Sequence, residues 1–171
     1  MIDPQDSHWM GEALKDAQKA ATVGEVPVGA VVVMDGEIVG RGHNLRESQN
    51  DPTAHAEMVA IRDAARRLGR WRLGQCTLYV TLEPCPMCAG AIVNSRLDRI
   101  VFGASDQRAG AVRTVYQLCD DPKLNHRAEI TSGVEMAVCS EILSSFFAQR
   151  RVEKKVLRQE EAGDSSELKS E

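Results

Sequence analysis

The sequence predicts an α/β domain with helices on both faces of a central sheet, and three observations carry that expectation. Segments with helical and strand periodicity follow one another in the order α-β-β-α-β-α-β before a final helical region. The pair Asp35-Gly36 joins two β-branched runs, the strongest short-range hairpin signal. A strand-helix-strand unit spans residues 77–104, and its crossover implies a parallel pair.

Taken in order, residues 7–23 place Trp9, Met10, Ala13, Leu14, Ala17, Ala20 and Ala21 at helical spacing. Asp6 or Ser7 is available as N-cap, and Gly24 lies just past the end. After the bend at Pro27, VGAVVVM and EIVGRG read as the two hairpin strands. A polar loop, HNLRESQNDPT (43–53), leads into AHAEMVAIRDAARRLG, whose Met58, Ile61, Ala65 and Leu68 keep helical spacing up to Gly69. TLYVTL (77–82) reads as a strand, LEPCPMCAGAI opens a helix reaching Ser95, and RIVFGA (99–104) is the next strand. From SDQRAGAV through LCDDPKLNHR the pattern is that of loops, and residues 138–158 read as a terminal helix. One domain over residues 1–158 is therefore expected, followed by a disordered polar tail, 159–171, with too few apolar residues to pack.

At 171 residues the chain can bury a sizeable core, and 43% hydrophobic with 27% charged residues is ordinary for a globular protein. The first thirty residues carry no basic stretch leading into a long apolar run, and no uncharged span reaches the roughly eighteen residues a bilayer requires. A cytoplasmic protein without membrane contact is the expectation. Five cysteines, an odd number, argue against a disulfide framework and toward metal or catalytic use. A net charge of −4 argues against broad, sequence-blind attraction to nucleic acid, which rests on phosphate neutralisation. The charge is unevenly spread: residues 61–75 hold five Arg against one Asp, and residues 149–158 hold five basic residues against one Glu. Such segments suit phosphates, and they equally suit solvated helix faces.

Chemistry concentrates ahead of two helices. TAHAEM puts His55 and Glu57 at one helix start, and LEPCPMC puts Cys85 and Cys88 at a strand-to-helix turn. Cys-x-x-Cys at a helix N-terminus presents two sulfurs on one face, where unpaired N–H groups favour the thiolate. A redox pair would look similar. Pro86 suits the first helical turn because its missing N–H costs nothing there. A structural zinc site closes with four protein ligands, whereas a catalytic one uses three and keeps a position for water. His55, Cys85 and Cys88 make three, with Cys76, His43 and His126 as the remaining candidates for a fourth. A His-x-Glu pair followed about thirty residues later by Pro-Cys-x-x-Cys is the signature of zinc nucleobase deaminases. Zinc lowers the pKa of bound water to about 7. Glu57, off the metal, would then relay one proton to the ring nitrogen and another to the departing amine.

Beyond that motif, EVPVGAVVV, GHN (42–44), NDPTAHAEM, TLYVTLEPCPMCAGAIVNSR, VFGASD, NHR (125–127) and SSFF together resemble the bacterial tRNA-specific adenosine deaminases. These enzymes convert the wobble adenosine of an anticodon to inosine. The resemblance implies a three-layer α/β/α, cytidine-deaminase-like fold with a central mixed, mostly five-stranded sheet. It also implies a homodimer, one zinc per subunit, and a tRNA anticodon stem-loop as partner. Asn44 would touch the flipped adenine nucleotide, and Asp106 a ribose hydroxyl, one way to prefer RNA over DNA. Asn125 and His126 would contact the RNA loop, Arg108 and Lys123 phosphates, and Phe146 and Phe147 would lie beside the anticodon. Read without the resemblance, Asn44 is a turn former, Asp106 an Asx turn, and at least one Phe a core residue.

Two rival readings stay open at this point. One keeps the deaminase but changes the substrate to a free base or nucleotide of the cytidine, deoxycytidylate or guanine type. The other is a structural zinc or RNA-interaction module, which requires a fourth protein ligand.

Overall fold

A computed structural model describes residues 3–167, with side chains to residue 159. The elements are α1 (Asp6–Thr22), β1 (Gly29–Met34), β2 (Glu37–His43), the short α2 (Arg46–Gln49), α3 (Ala56–Leu68), β3 (Thr77–Leu82), α4 (Pro86–Ser95), β4 (Arg99–Ala104), β5 (Glu129–Ser132) and α5 (Met136–Glu167). The five strands form one sheet in the order β2-β1-β3-β4-β5, antiparallel through β2, β1 and β3 and parallel from β3 to β5. The expected mixed α/β/α architecture is thus what the chain adopts.

Alternation along the strands builds both layers. Ala30, Val32, Leu78, Val80, Ile100 and Phe102 join the core shared with α3 and α4. Val31, Val33, Tyr79 and Val101 join the core shared with α1. The hairpin turns on Asp35 and Gly36, both at positive φ (52° and 76°), as a two-residue connection with matching twist requires. Helix α3 lies unusually close to β2: a Cβ on Gly40 or Gly42 would collide with the α3 backbone at Ala60 or Ala56. That contact fixes the height at which the α3 N-terminus reaches the sheet end. At the outer edge, the Arg41 N–H donates to the Asp63 carboxylate at 3.0 Å, and the β1–β2 register is irregular at Val32/Val33.

Four differences from the sequence reading have physical causes. Asp6 does not cap α1; Gln5 holds that position, without a side-chain bond. Asp6 is instead buried in the first turn, where its carboxylate accepts from Arg99 twice at 2.8 Å and from Tyr79 at 3.0 Å. Strand β5 is only four residues long with one buried side chain, too short to show alternation, and it lies between the loop-like stretch ending at Arg127 and the terminal helix, where the sequence pattern assigns no element. Helix α2, equally short, sits in the polar 43–53 loop, where Glu25 accepts from the Ser48 N–H and hydroxyl. Finally, α5 continues to Glu167, into the stretch expected to be a disordered tail, while residues 168–171 lie outside the described ones. A helix already nucleated on the sheet propagates readily through Glu, Gln and Ala.

Candidate metal and catalytic site

The site forms where β3 and β4 end side by side, the usual place for ligands in open α/β sheets. His55 is the N-cap residue of α3 (φ −74°, ψ 153°) and Cys85 that of α4 (φ −74°, ψ 173°), with Pro86 as the first helical residue. Cys88 sits one turn into α4 and is buried. The N-terminus of α3 is held by Asn44, whose Oδ1 accepts from the Ala56 N–H at 3.0 Å and whose Nδ2 donates to the Val26 carbonyl at 3.1 Å.

Both sulfurs lie 3.6 Å from His55 Nδ1, and the three ligand atoms fall within 4.8 Å of one another. Tetrahedral zinc with ordinary Zn–S and Zn–N bonds spaces its nitrogen and sulfur ligands about 3.6 Å apart. The donor set and its spacing therefore fit zinc. No fourth His, Cys or carboxylate joins this group among the described residues. Cys76 precedes β3 at the opposite end of the sheet, His43 lies in a separate cleft with Arg66 and Arg67, and His126 Nε2 faces the Leu97 carbonyl at 2.6 Å.

Without a cation, the Cys88 thiol and His55 hold the Cys85 thiol down to about 4. Cys88 is pushed well above its ordinary value by that neighbour, by burial and by Glu57. His55 is raised, chiefly through its contact with Cys85. A divalent cation between the sulfurs would deprotonate both thiols and keep the imidazole neutral. Glu57 is only 4% exposed, and burial pushes its carboxyl up to about 7, the range in which a group both accepts and returns protons.

Glu57, His55, Cys85, Asn44 and Asp106 face a cleft of about 270 Å³ also lined by Phe147. Asn44 keeps one N–H and one lone pair beyond those holding α3. Asp106 Oδ1 accepts from the N–H groups of Arg108 (2.9 Å) and Ala109 (3.2 Å), which makes the Asx turn, and the residue also lines the cleft. Through Val26, Leu82, Asp106 and Phe147 the cleft continues into a wider groove of about 600 Å³ bearing Arg108 and Arg151. The two phenylalanines part company. Phe147 is 45% exposed at the cleft, whereas Phe146 faces α1, under the Arg150 guanidinium at 5.4 Å.

Asn125 and His126 are not brought to this cleft. Asn125 accepts from Arg96 at 3.0 Å, and His126 sits on Leu97, both beyond the far end of α4, whose length is about 15 Å. Lys123 lies exposed on the same loop.

Sequence reasoning missed Glu83, 2% exposed and two residues before Cys85. Its carboxylate accepts from the N–H groups of Asp106 (3.0 Å), Val112 (3.2 Å), Arg113 (2.7 Å) and Thr114 (2.9 Å), and from the Thr114 hydroxyl. Burial opposes its ionisation, but the Thr114 hydroxyl and these N–H groups hold its carboxyl below the ordinary range. An acid wedged between Leu82 and Pro84 at the end of an apolar strand was the available signal.

A deaminase fold is what this sheet and its His-Cys-Cys turn define, and the family model of the MafB19-like deaminases matches residues 4–151. The chain is 52% identical over 154 residues to the tRNA-specific adenosine deaminase of Bacillus subtilis, covering 90% of this chain and 96% of that protein. It is similar, at TM-score 0.77 and 43% identity, to a structure from studies of A-to-I editing by tRNA:A34 deaminases at the wobble position of transfer RNA. That match covers 80% of this chain and 99% of the other. A guanine deaminase from Bacillus subtilis is similar at TM-score 0.56 and 40% identity, over 61% of this chain and 66% of that one. By these matches the chain belongs to the tRNA-specific adenosine deaminase family.

Proposed function

We propose that this protein deaminates adenosine hydrolytically to inosine at the wobble position of a tRNA anticodon. The observation that carries the chemistry is the buried Glu57 carboxylate beside a three-ligand His-Cys-Cys group that fits zinc. The substrate follows from membership of the family, supported by a cleft that opens into a groove instead of closing over a free base.

In this reading His55, Cys85 and Cys88 hold one zinc per subunit. Zinc bound there would supply a water activated for attack at neutral pH. Glu57 would take a proton from the attacking water and deliver it to N1 of the adenine as C6 is attacked, then take the proton of the new C6 hydroxyl and pass it to the amine, which leaves as ammonia as C6 becomes the carbonyl of inosine. The free N–H and lone pair of Asn44 orient the purine. The second Asp106 oxygen accepts from a ribose hydroxyl, and Phe147 offers a face for a neighbouring base. Arg108, at the groove, meets a phosphate.

The family resemblance also supports a homodimer and RNA-loop contacts by Asn125 and His126 with Lys123 on a phosphate; their distance from this cleft would suit RNA held by the partner subunit. The exposed apolar Val115, Tyr116 and Leu124 on that loop support a covered surface there. No described helix is long and apolar enough to cross a membrane, and a tRNA substrate supports a cytoplasmic enzyme.

Nucleoside mass analysis of tRNA transcripts incubated with the zinc-loaded protein tests the proposal. Inosine at a wobble adenosine is expected. Its absence, with guanine or cytidine consumed instead, would establish the free-base reading that the guanine deaminase similarity favours.

A further inference from the structure

Helix α5 does two things along its length. Its first turns lie on β4 and β3, with Cys139 seated against Gly103, where a Cβ would collide with it. From Arg151 to Gln159 every side chain is exposed, so the helix has left the body of the domain. The family match ends at residue 151, and most of this projecting part is therefore additional to it.

Its charges are ordered. Phe147 lines the cleft beside Glu57, and Arg151 lines the groove that the cleft opens into. Arg151, Lys154, Lys155 and Arg158 follow Phe147 at spacings of four, seven, eight and eleven residues, which returns each to the same helical face. Val152 and Val156 fall on the opposite side, and Glu153 is turned away toward Arg150, 3.8 Å distant. None of the four cations is in an ion pair among the described residues. The stripe ends where the sequence turns acidic at Glu160 and Glu161. A track of four positive charges thus leaves the mouth of the site, spans about 10 Å of helix and ends about 16 Å beyond Phe147.

Resting on the RNA-deaminase reading, we infer that this face is a docking rail for the phosphate backbone of the paired stem that carries the target loop. The charge is complementary to a polyanion. A target base in the cleft places the adjoining backbone along Phe147 and Arg151, and the paired stem next to the remaining cations. Because phosphates carry no sequence information, the rail would raise affinity without choosing the base.

The test compares the full-length protein with the triple variant Lys154→Gln, Lys155→Gln, Arg158→Gln, using an anticodon stem-loop and a single-stranded oligonucleotide of the loop alone. The removed groups are exposed, so zinc content and melting temperature should match the parent. For the stem-loop, KM should rise while kcat holds, and the slope of log affinity against log salt should flatten by about one for each phosphate no longer neutralised. The loop oligonucleotide should be unaffected. Unchanged KM and salt slope for the stem-loop, or an equal weakening on both RNAs, would overturn the rail. Failure of the parent protein to deaminate either RNA would overturn the function reading instead, so the two failures are distinguishable.

Discussion

Two halves of the site face each other across the cleft, and they are built on different principles. The half proposed to hold the metal consists of helix ends: His55 and Cys85 are cap residues, and many bonds along α3 and α4 share the task of aiming them. The opposite half, residues 105–114, has no regular structure and is organised around one carboxylate, Glu83. Regular elements distribute positional control, whereas an irregular loop concentrates it in a single group. The first half should therefore tolerate single changes outside its ligands, and the second should fail at one point.

The largest effect belongs to the chemistry between the halves. Glu57→Gln should lower kcat for inosine formation by about 10² to 10⁴ while metal analysis still finds zinc. Undiminished turnover would remove Glu57 from proton transfer. Next comes the loop: Glu83→Gln replaces a pure acceptor with a group that donates into a ring of N–H donors. It should cost roughly 3 kcal/mol in urea unfolding, with exchange protection lost over residues 105–114 and zinc retained.

A third region also relies on one buried acid and reads out with pH. Burial raises the carboxyl of Asp6, but hydrogen bonds from Arg99, the Asp3 N–H and Tyr79 prevail and hold it below its ordinary 3.8. A lowered folded-state pKa means that the contribution is complete above the unfolded value and disappears as pH falls through the folded one. Acid unfolding of Asp6→Asn should accordingly show a shallower stability loss below about pH 4 than the parent, besides a lower plateau. Smaller effects test the helix-end half. Asn44→Ala removes the acceptor for the Ala56 N–H and should cost about 1 kcal/mol of stability. Pro86→Ala should change the melting temperature least, by the equivalent of less than about 1 kcal/mol.

The same contrast explains what could be read in advance. Strands β3 and β4, helix α3 and the Asp35-Gly36 hairpin were visible because each is local: periodicity and turn chemistry suffice. His55, Glu57, Cys85 and Cys88 were visible as a typed pattern, since metal chemistry restricts residue choice. Glu83 was not, because its partners lie over twenty residues away and are backbone N–H groups that any sequence supplies. Adjacent helical positions required Phe146 and Phe147 to diverge, but which of them turns inward depends on how α5 lies against α1 and was not legible, nor was the distance of Asn125 and His126 from this cleft. Asp6 looked like a cap because Arg99, its true partner, is remote in sequence.

The Asp63 carboxylate on the Arg41 amide has a bearing on how the protein behaves in concentrated solution. An outermost strand normally offers free N–H and C=O groups on which further strands polymerise. Here one such N–H is already satisfied, the neighbouring register is broken, and the sheet terminates on the other side in a strand of four residues. Both borders are thereby poor templates, and the chain resists assembling into fibres through its own sheet.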